Sequence, residues 1–139
     1  MKINPKFVID TNVLLVSISA KSKYHWIFQS LINGKFDLAF TTEILAEYEE
    51  IISDKYSISV AQNVIRTLLL LPNTIRTTVY YNWNLIQNDE DDNKLVDCAV
   101  ASNSDAIITH DKHFNVLKSI PFPSVNIMDV FGLERFLTK

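Results

Sequence analysis

Phe7-Val8-Ile9-Asp10-Thr11-Asn12-Val13-Leu14-Leu15-Val16 is the stretch on which the fold turns. A short apolar run of β-formers stops at Asp10, three polar residues intervene, and an apolar run without alternation resumes. The pattern predicts strand, polar junction, helix. Further along, helical spacing joins Tyr24, Ile27, Phe28, Leu31 and Ile32 until Asn33-Gly34 stops it, and Phe36 to Phe40 forms a second strand. Thr41-Thr42 supply an N-cap for a helix whose apolar arc is Ile44, Leu45, Tyr48, Ile51 and Ile52. Another helix covers Ser57 to Leu71 and stops at Pro72, followed by a third strand at Arg76 to Tyr80. After the acidic stretch Asp89-Glu90-Asp91-Asp92, the residues Leu95, Val96, Ala99 and Val100 mark a helix. Ala106 to Thr109 is a fourth strand, Val125 to Ile127 a fifth, and Met128 to Leu137 a closing helix. Strands alternating with helices predict an α/β fold with a mainly parallel five-stranded sheet.

Two of these strands end alike. Phe7-Val8-Ile9-Asp10 and Ile107-Ile108-Thr109-His110-Asp111 each deliver an acid at or just past a buried strand's C-terminus, the edge where open parallel sheets place their sites. Either aspartate alone reads as a turn former or a helix cap; two together point to a shared site. At about 100° per residue, Asp92 lines up with the Leu95/Val96/Ala99 face of its helix and so faces the sheet, whereas Asp91 and Asp97 point away. Asp97 is expected to be solvated, and Asp89, Glu90 and Asp91 to serve the helix dipole. The choice between Asp91 and Asp92 rests on this angle alone. Glu47 sits on the margin of its helix's apolar arc and, by itself, reads as a solvated edge residue.

Carboxylates gathered at one edge repel each other and need a cation or raised pKa values to coexist. Oxygen ligands without a cysteine or histidine set suit Mg²⁺ or Mn²⁺, and such ions serve phosphodiester hydrolysis.

The bulk properties narrow the class. The 139 residues, with 47% hydrophobic and 21% charged side chains, suit one soluble domain over 1–139 rather than two. No apolar run is long enough to span a bilayer, and Asp10 interrupts any secretory apolar region near the N-terminus; no membrane partner and a cytoplasmic location are expected. Cys98, the single cysteine, reads as a buried bystander. A net charge of −3 argues against binding nucleic acid chiefly by phosphate neutralisation, unless the acidity is a local metal cluster. With only Gly34 and Gly132 there is no phosphate-cradling loop. Asp10-Thr11-Asn12 also lacks the second aspartate at plus two that haloacid-dehalogenase phosphatases use.

With these residues in view, the segment 7–15 resembles the opening strand and junction of PIN domains. Thr42-Glu43-Ile44-Leu45-Ala46-Glu47-Tyr48, Asp91-Asp92-Asn93-Lys94-Leu95-Val96-Asp97-Cys98-Ala99 and Ala106-Ile107-Ile108-Thr109-His110-Asp111-Lys112-His113-Phe114 are similar to that family's later acidic motifs, in order. The similarity is greatest to the prokaryotic subgroup regarded as toxins of toxin-antitoxin pairs. The resemblance implies a three-layer α/β/α sandwich and an Mg²⁺- or Mn²⁺-dependent endoribonuclease. It also implies an RNA substrate, an antitoxin protein partner and a homodimer. By position it assigns Asp10, Asp92 and Asp111 as metal ligands and Glu47 as a ligand or a positioner of the attacking water. Thr11 and Asn12 would support Asp10, and Thr109 would hydrogen-bond near the site. Lys21, Lys23, Tyr24, Trp26, Lys112 and His113 are candidates to flank an RNA path and His110 to touch substrate, although each also reads as an ordinary surface or packing residue. The competing reading is a non-catalytic PIN-like interaction module.

Overall fold

The computed structural model describes residues 3–87 and 89–138. Five strands form one sheet: β1 (Lys6–Ile9), β2 (Asp37–Phe40), β3 (Thr74–Arg76), β4 (Ala106–Ile108) and β5 (Ile127–Met128). Their order is β3-β2-β1-β4-β5, and every pairing is parallel. The helices are α1 (Thr11–Ser17), α2 (His25–Ile32), α3 (Thr42–Lys55), α4 (Ile58–Leu70), α5 (Glu90–Ser102) and α6 (Val130–Leu137), with a 3-10 segment at Lys112–Ser119.

Phe7, Val8 and Ile9 of β1, Leu38, Ala39 and Phe40 of β2, and all of β4 are buried without alternation. Strands buried on both faces need a helical layer on each. Chain order supplies both layers: β1 to β3 step one way across the sheet and β4 and β5 the other. Right-handed crossovers then put the first four helices on one face and the later ones opposite. The direction reverses between β1 and β4, where Ile9 pairs with Ile108. This switch point is where a parallel sheet opens a crevice at its carboxyl edge, and the residues that follow the two strands are Asp10 and Thr109.

Local signals set most helix ends. Thr41 and Ser57 cap α3 and α4 by accepting from the N–H groups of Ile44 and Val60, and Asp129 caps α6 by accepting from Gly132. That cap starts α6 at Val130, two residues later than the sequence pattern suggests. The third strand also departs from expectation, lying at Thr74–Arg76 rather than 76–80. Asn73 Nδ2 donates to the carbonyls of Leu31 and Phe36, which fixes the chain for immediate pairing of Thr74 with Leu38. After Thr77 donates to Phe40 O, the chain leaves the sheet. Residues 78–87 then run as irregular backbone to α5. The fifth strand is Ile127–Met128, displaced from 125–127.

Candidate metal centre

Asp10 follows β1 directly and immediately precedes the first residue of α1. Its Oδ2 accepts from Thr109 Oγ1 at 2.7 Å. The same hydroxyl accepts from the backbone N–H of Asp111 at 3.0 Å. Thr109 therefore couples the ends of β1 and β4 and aims both aspartates into one crevice. Burial pushes the Asp10 carboxyl above its usual range, and neighbouring Asp111 and Glu47 push the same way. The Thr109 hydroxyl and the Asn12 N–H oppose the shift.

α3 brings Glu47 to the opposite wall. The buried Tyr48 hydroxyl donates to Ile9 O and ties the helix to the end of β1. Both Glu47 oxygens are engaged: Oε1 pairs with Lys94 Nζ at 2.7 Å, and Oε2 accepts a hydrogen bond from Thr11 Oγ1. Burial alone would lower the Lys94 pKa, but Glu47 and Asp91 hold its ammonium above the usual value. Lys94 thus screens the cleft wall from the remaining carboxylates.

The third wall is the start of α5. Asp89 caps it, with Oδ1 accepting from Asp92 N at 3.0 Å, and this backbone N–H together with the Asp92 carboxyl holds Asp89 below its usual range. Asp92 is 8% exposed, and its Oδ2 is buried with no hydrogen-bond partner. Burial, then Asp89, Asp111 and Asp10, push its carboxyl up to about 7. Asp91 instead faces solvent beside Lys94, its side chain 80% exposed, so the helix angle separates the adjacent pair as the sequence pattern suggests.

Asp10, Thr11, Asn12, Glu47, Asp92 and Asp111 all border one cleft of about 260 Å³ at the sheet's carboxyl edge. Asp89 borders it too, although the sequence pattern assigns it only a dipole role. His113 Nδ1 lies 3.4 Å from Asp111 Oδ1, 3.6 Å from Asp92 Oδ2 and 3.8 Å from Asp89 Oδ2. One ligand atom from each of Asp89, Asp92 and His113 falls within 4.8 Å of the others, a spacing that a single cation can bridge. The signals for these two residues are local: Asp89 precedes Asp92 at the spacing of a capping side chain, and His113 is two residues past Asp111. Lys21, Lys23, Tyr24 and Trp26 do not border the cleft, and Lys23 Nζ sits 5.2 Å from the centre of the Tyr24 ring. His110 and Lys112 are exposed and line a neighbouring groove.

Asp97 is not solvated. It is 5% exposed and accepts from Trp83 N at 3.0 Å, because the segment after β3 crosses the side of α5 that the helical pattern leaves for water. Cys98 is fully buried, and burial pushes its thiol up to about 12, which leaves it without thiolate character.

An orphaned carboxylate oxygen facing several other acids fits an oxygen-seeking divalent cation. No group hydrogen-bonds to Asp92 Oδ2, the nearby His113 Nδ1 standing 3.6 Å away, and a bound cation would offset the burial and the carboxylate repulsion that raise Asp92.

The family model described as PIN domain matches residues 6–113. No curated protein sequence matches the chain. Among solved structures, a chain in the crystal structure of VapBC2 from Rickettsia felis bound to a DNA fragment from their promoter aligns with a TM-score of 0.62 at 16% identity. The alignment covers 89% of this chain and 98% of that one, and at such identity the likeness is one of fold. No helix among the described residues is long and apolar enough to cross a membrane.

Proposed function

Because the chain belongs to the PIN-domain family, we propose that it is a metal-dependent ribonuclease, hydrolysing RNA phosphodiester bonds at the cleft between β1 and β4. The observation that carries this reading is the buried, unpartnered Asp92 Oδ2 among Asp10, Asp89 and Asp111. Asp10, Asp92 and Asp111 would hold Mg²⁺ or Mn²⁺, with Asp89 and His113 within reach of the same position. When bound, the ion supplies an activated water and neutralises charge developing on the phosphoryl oxygens.

The protein's own groups do the rest. Thr109 fixes the Asp10 carboxylate and the Asp111 backbone in one hydrogen-bonded chain, and Asp111 Oδ1 is held in turn by the His113 N–H as the cap of the 3-10 segment, which limits how far either side chain would have to move to ligate. Glu47, held by Thr11 and Lys94, leaves no oxygen without a partner. We read it as orienting Thr11 and the cleft wall, where it can accept a hydrogen bond from water, rather than as a direct ligand. Asn12, exposed and bordering the cleft, supports Asp10 through its backbone N–H. No side-chain nucleophile is required.

The likeness in fold to a chain of VapBC2 supports the narrower reading of a toxin that pairs with an antitoxin protein; a homodimer and a cytoplasmic site of action belong to the same proposal. The test is cleavage of mixed single-stranded RNAs with Mn²⁺, with EDTA, and by the Asp10→Asn variant. Activity with Mn²⁺ alone supports the proposal, and equal activity in all three sinks it. Metal binding without cleavage of any RNA would favour a non-catalytic module.

A further inference from the structure

Beside the carboxylate cleft runs a larger groove of about 780 Å³, with Thr109 and Asp111 at one end. The 3-10 segment forms one bank, α6 the other, and β5 the floor. The helix lies close to that floor: a Cβ at Gly132 would sit 2.6 Å from Met128 Cγ. Lys112 and Lys118 project from one bank and Arg135 from the other; all three are exposed, and none forms an ion pair among the described residues. Of the two acids lining the groove, Asp129 accepts from Gly132 N as the cap of α6, and Asp111 belongs to the cleft. Phe136 adds a ring that is 38% exposed and braced edge-on against Phe7 at 5.6 Å.

The chain as a whole carries a net charge of −3, so a groove with unpaired cations on both banks runs against its average. Cations on both banks with a partly exposed ring next to Arg135 suit a single nucleic-acid strand, whose phosphates take the cations while a base stacks on the ring. Duplex grooves are read instead by an element inserted into them, whereas this site is itself a concave groove. Asp111 lines both this groove and the carboxylate cleft, so the groove adjoins the place where phosphodiester cleavage is proposed.

We infer that single-stranded RNA leaves the carboxylate cleft along the groove between the 3-10 segment and α6, with Lys118 and Arg135 contacting its phosphates and Phe136 stacking a base. This rests on the ribonuclease reading for the strand's origin at the cleft, but its binding step needs no metal. The probe is a fluorescein-labelled oligouridylate of about 12 nucleotides, titrated with the full chain in EDTA at several salt concentrations. Lys118→Gln combined with Arg135→Gln should weaken binding roughly 25-fold at about 0.1 M salt and reduce the log–log salt slope by about 1.4, since each phosphate contact on a single strand releases about 0.7 counterion. Phe136→Leu should weaken binding with the salt slope unchanged. Lys55→Gln combined with Arg66→Gln removes two exposed cations on α3 and α4, away from the groove, and should bind as the unaltered chain does.

Equal binding by the Lys118/Arg135 variant, an equal loss in the Lys55/Arg66 variant, or no binding by the unaltered chain would each overturn the inference. Cleavage is measured separately with Mn²⁺. Retained cleavage by Asp10→Asn sinks the reading of the cleft, whereas unchanged metal-free binding after loss of Lys118 and Arg135 sinks the groove.

Discussion

Asp92 and Asp97 are five residues apart on α5, both are buried, and burial raises the pKa of both. They differ in what meets them. Asp97 turns to the segment that crosses α5 and receives the Trp83 N–H; nearby, Asn93 exchanges two hydrogen bonds with the backbone of Ile86 and pins the same segment. Asp92 turns to the sheet edge and finds other carboxylates, with no donor for Oδ2. A buried acid with a donor is part of the scaffold. A buried acid without one, facing more acids, costs stability until a cation arrives. Two similar burials on one helix therefore separate the scaffold from the site.

The contrast breaks most visibly in activity. Asp92→Asn should reduce Mn²⁺-dependent RNA cleavage at least about 100-fold, at or beyond the 10–100-fold loss typical when a group supporting a metal ligand is removed. Asp97→Asn, whose amide oxygen can still accept from Trp83 N, should stay within about threefold in kcat, a small change of the kind expected when a hydrogen bond remote from the reacting atoms is kept. Thr109→Val tests the intermediate case. It removes the donor that aims Asp10 without removing a ligand, and cleavage should fall by about 10–100-fold. Initial rates on a labelled RNA across Mn²⁺ concentrations check all three.

Stability should invert the ranking. Asp97→Ala leaves the Trp83 N–H without its acceptor and should cost about 1–3 kcal/mol in urea unfolding, whereas Asp92→Asn relieves buried repulsion and should stabilise the metal-free chain. A smaller effect lies in the pH dependence. Burial and neighbouring carboxylates push the folded Asp92 carboxyl from its ordinary 3.8 up to about 7, so it binds its proton more tightly when folded. Its stabilising contribution is complete below the unfolded value and lost as pH rises through about 7. The Tm of metal-free Asp92→Asn should therefore match that of the unaltered chain near pH 4 and rise above it as pH passes 7. A constant gap across that window would remove Asp92 as its source.

The parts legible in the sequence are those set by short-range pattern. Strand ends at Ile9 and Ile108 locate Asp10 and Thr109, and the 100° advance of α5 places Asp92 inward and Asp91 outward. What escapes the pattern depends on chain that returns from elsewhere. Periodicity leaves Asp97 on a free helix side because it cannot see residues 78–87 crossing there. The third strand slips to Thr74–Arg76 because Asn73 is held by carbonyls some 40 positions earlier in the chain. Asp89 and His113 illustrate a third limit: a cap and an exposed histidine have ordinary local readings, and only the packing of α5 against β4 brings them to the same carboxylates. Glu47 is set apart in the sequence only by family resemblance, and in the structure it is tied to Thr11 and Lys94.

The central claim is that the unpartnered Asp92 oxygen marks a cation site. Calorimetric titration of Mn²⁺ into the metal-free chain above pH 7, repeated with Asp92→Asn and Asp97→Asn, tests it most directly. Saturable binding to the unaltered chain and to Asp97→Asn, with loss in Asp92→Asn, is the predicted result. Equal Mn²⁺ affinity in all three proteins would contradict it.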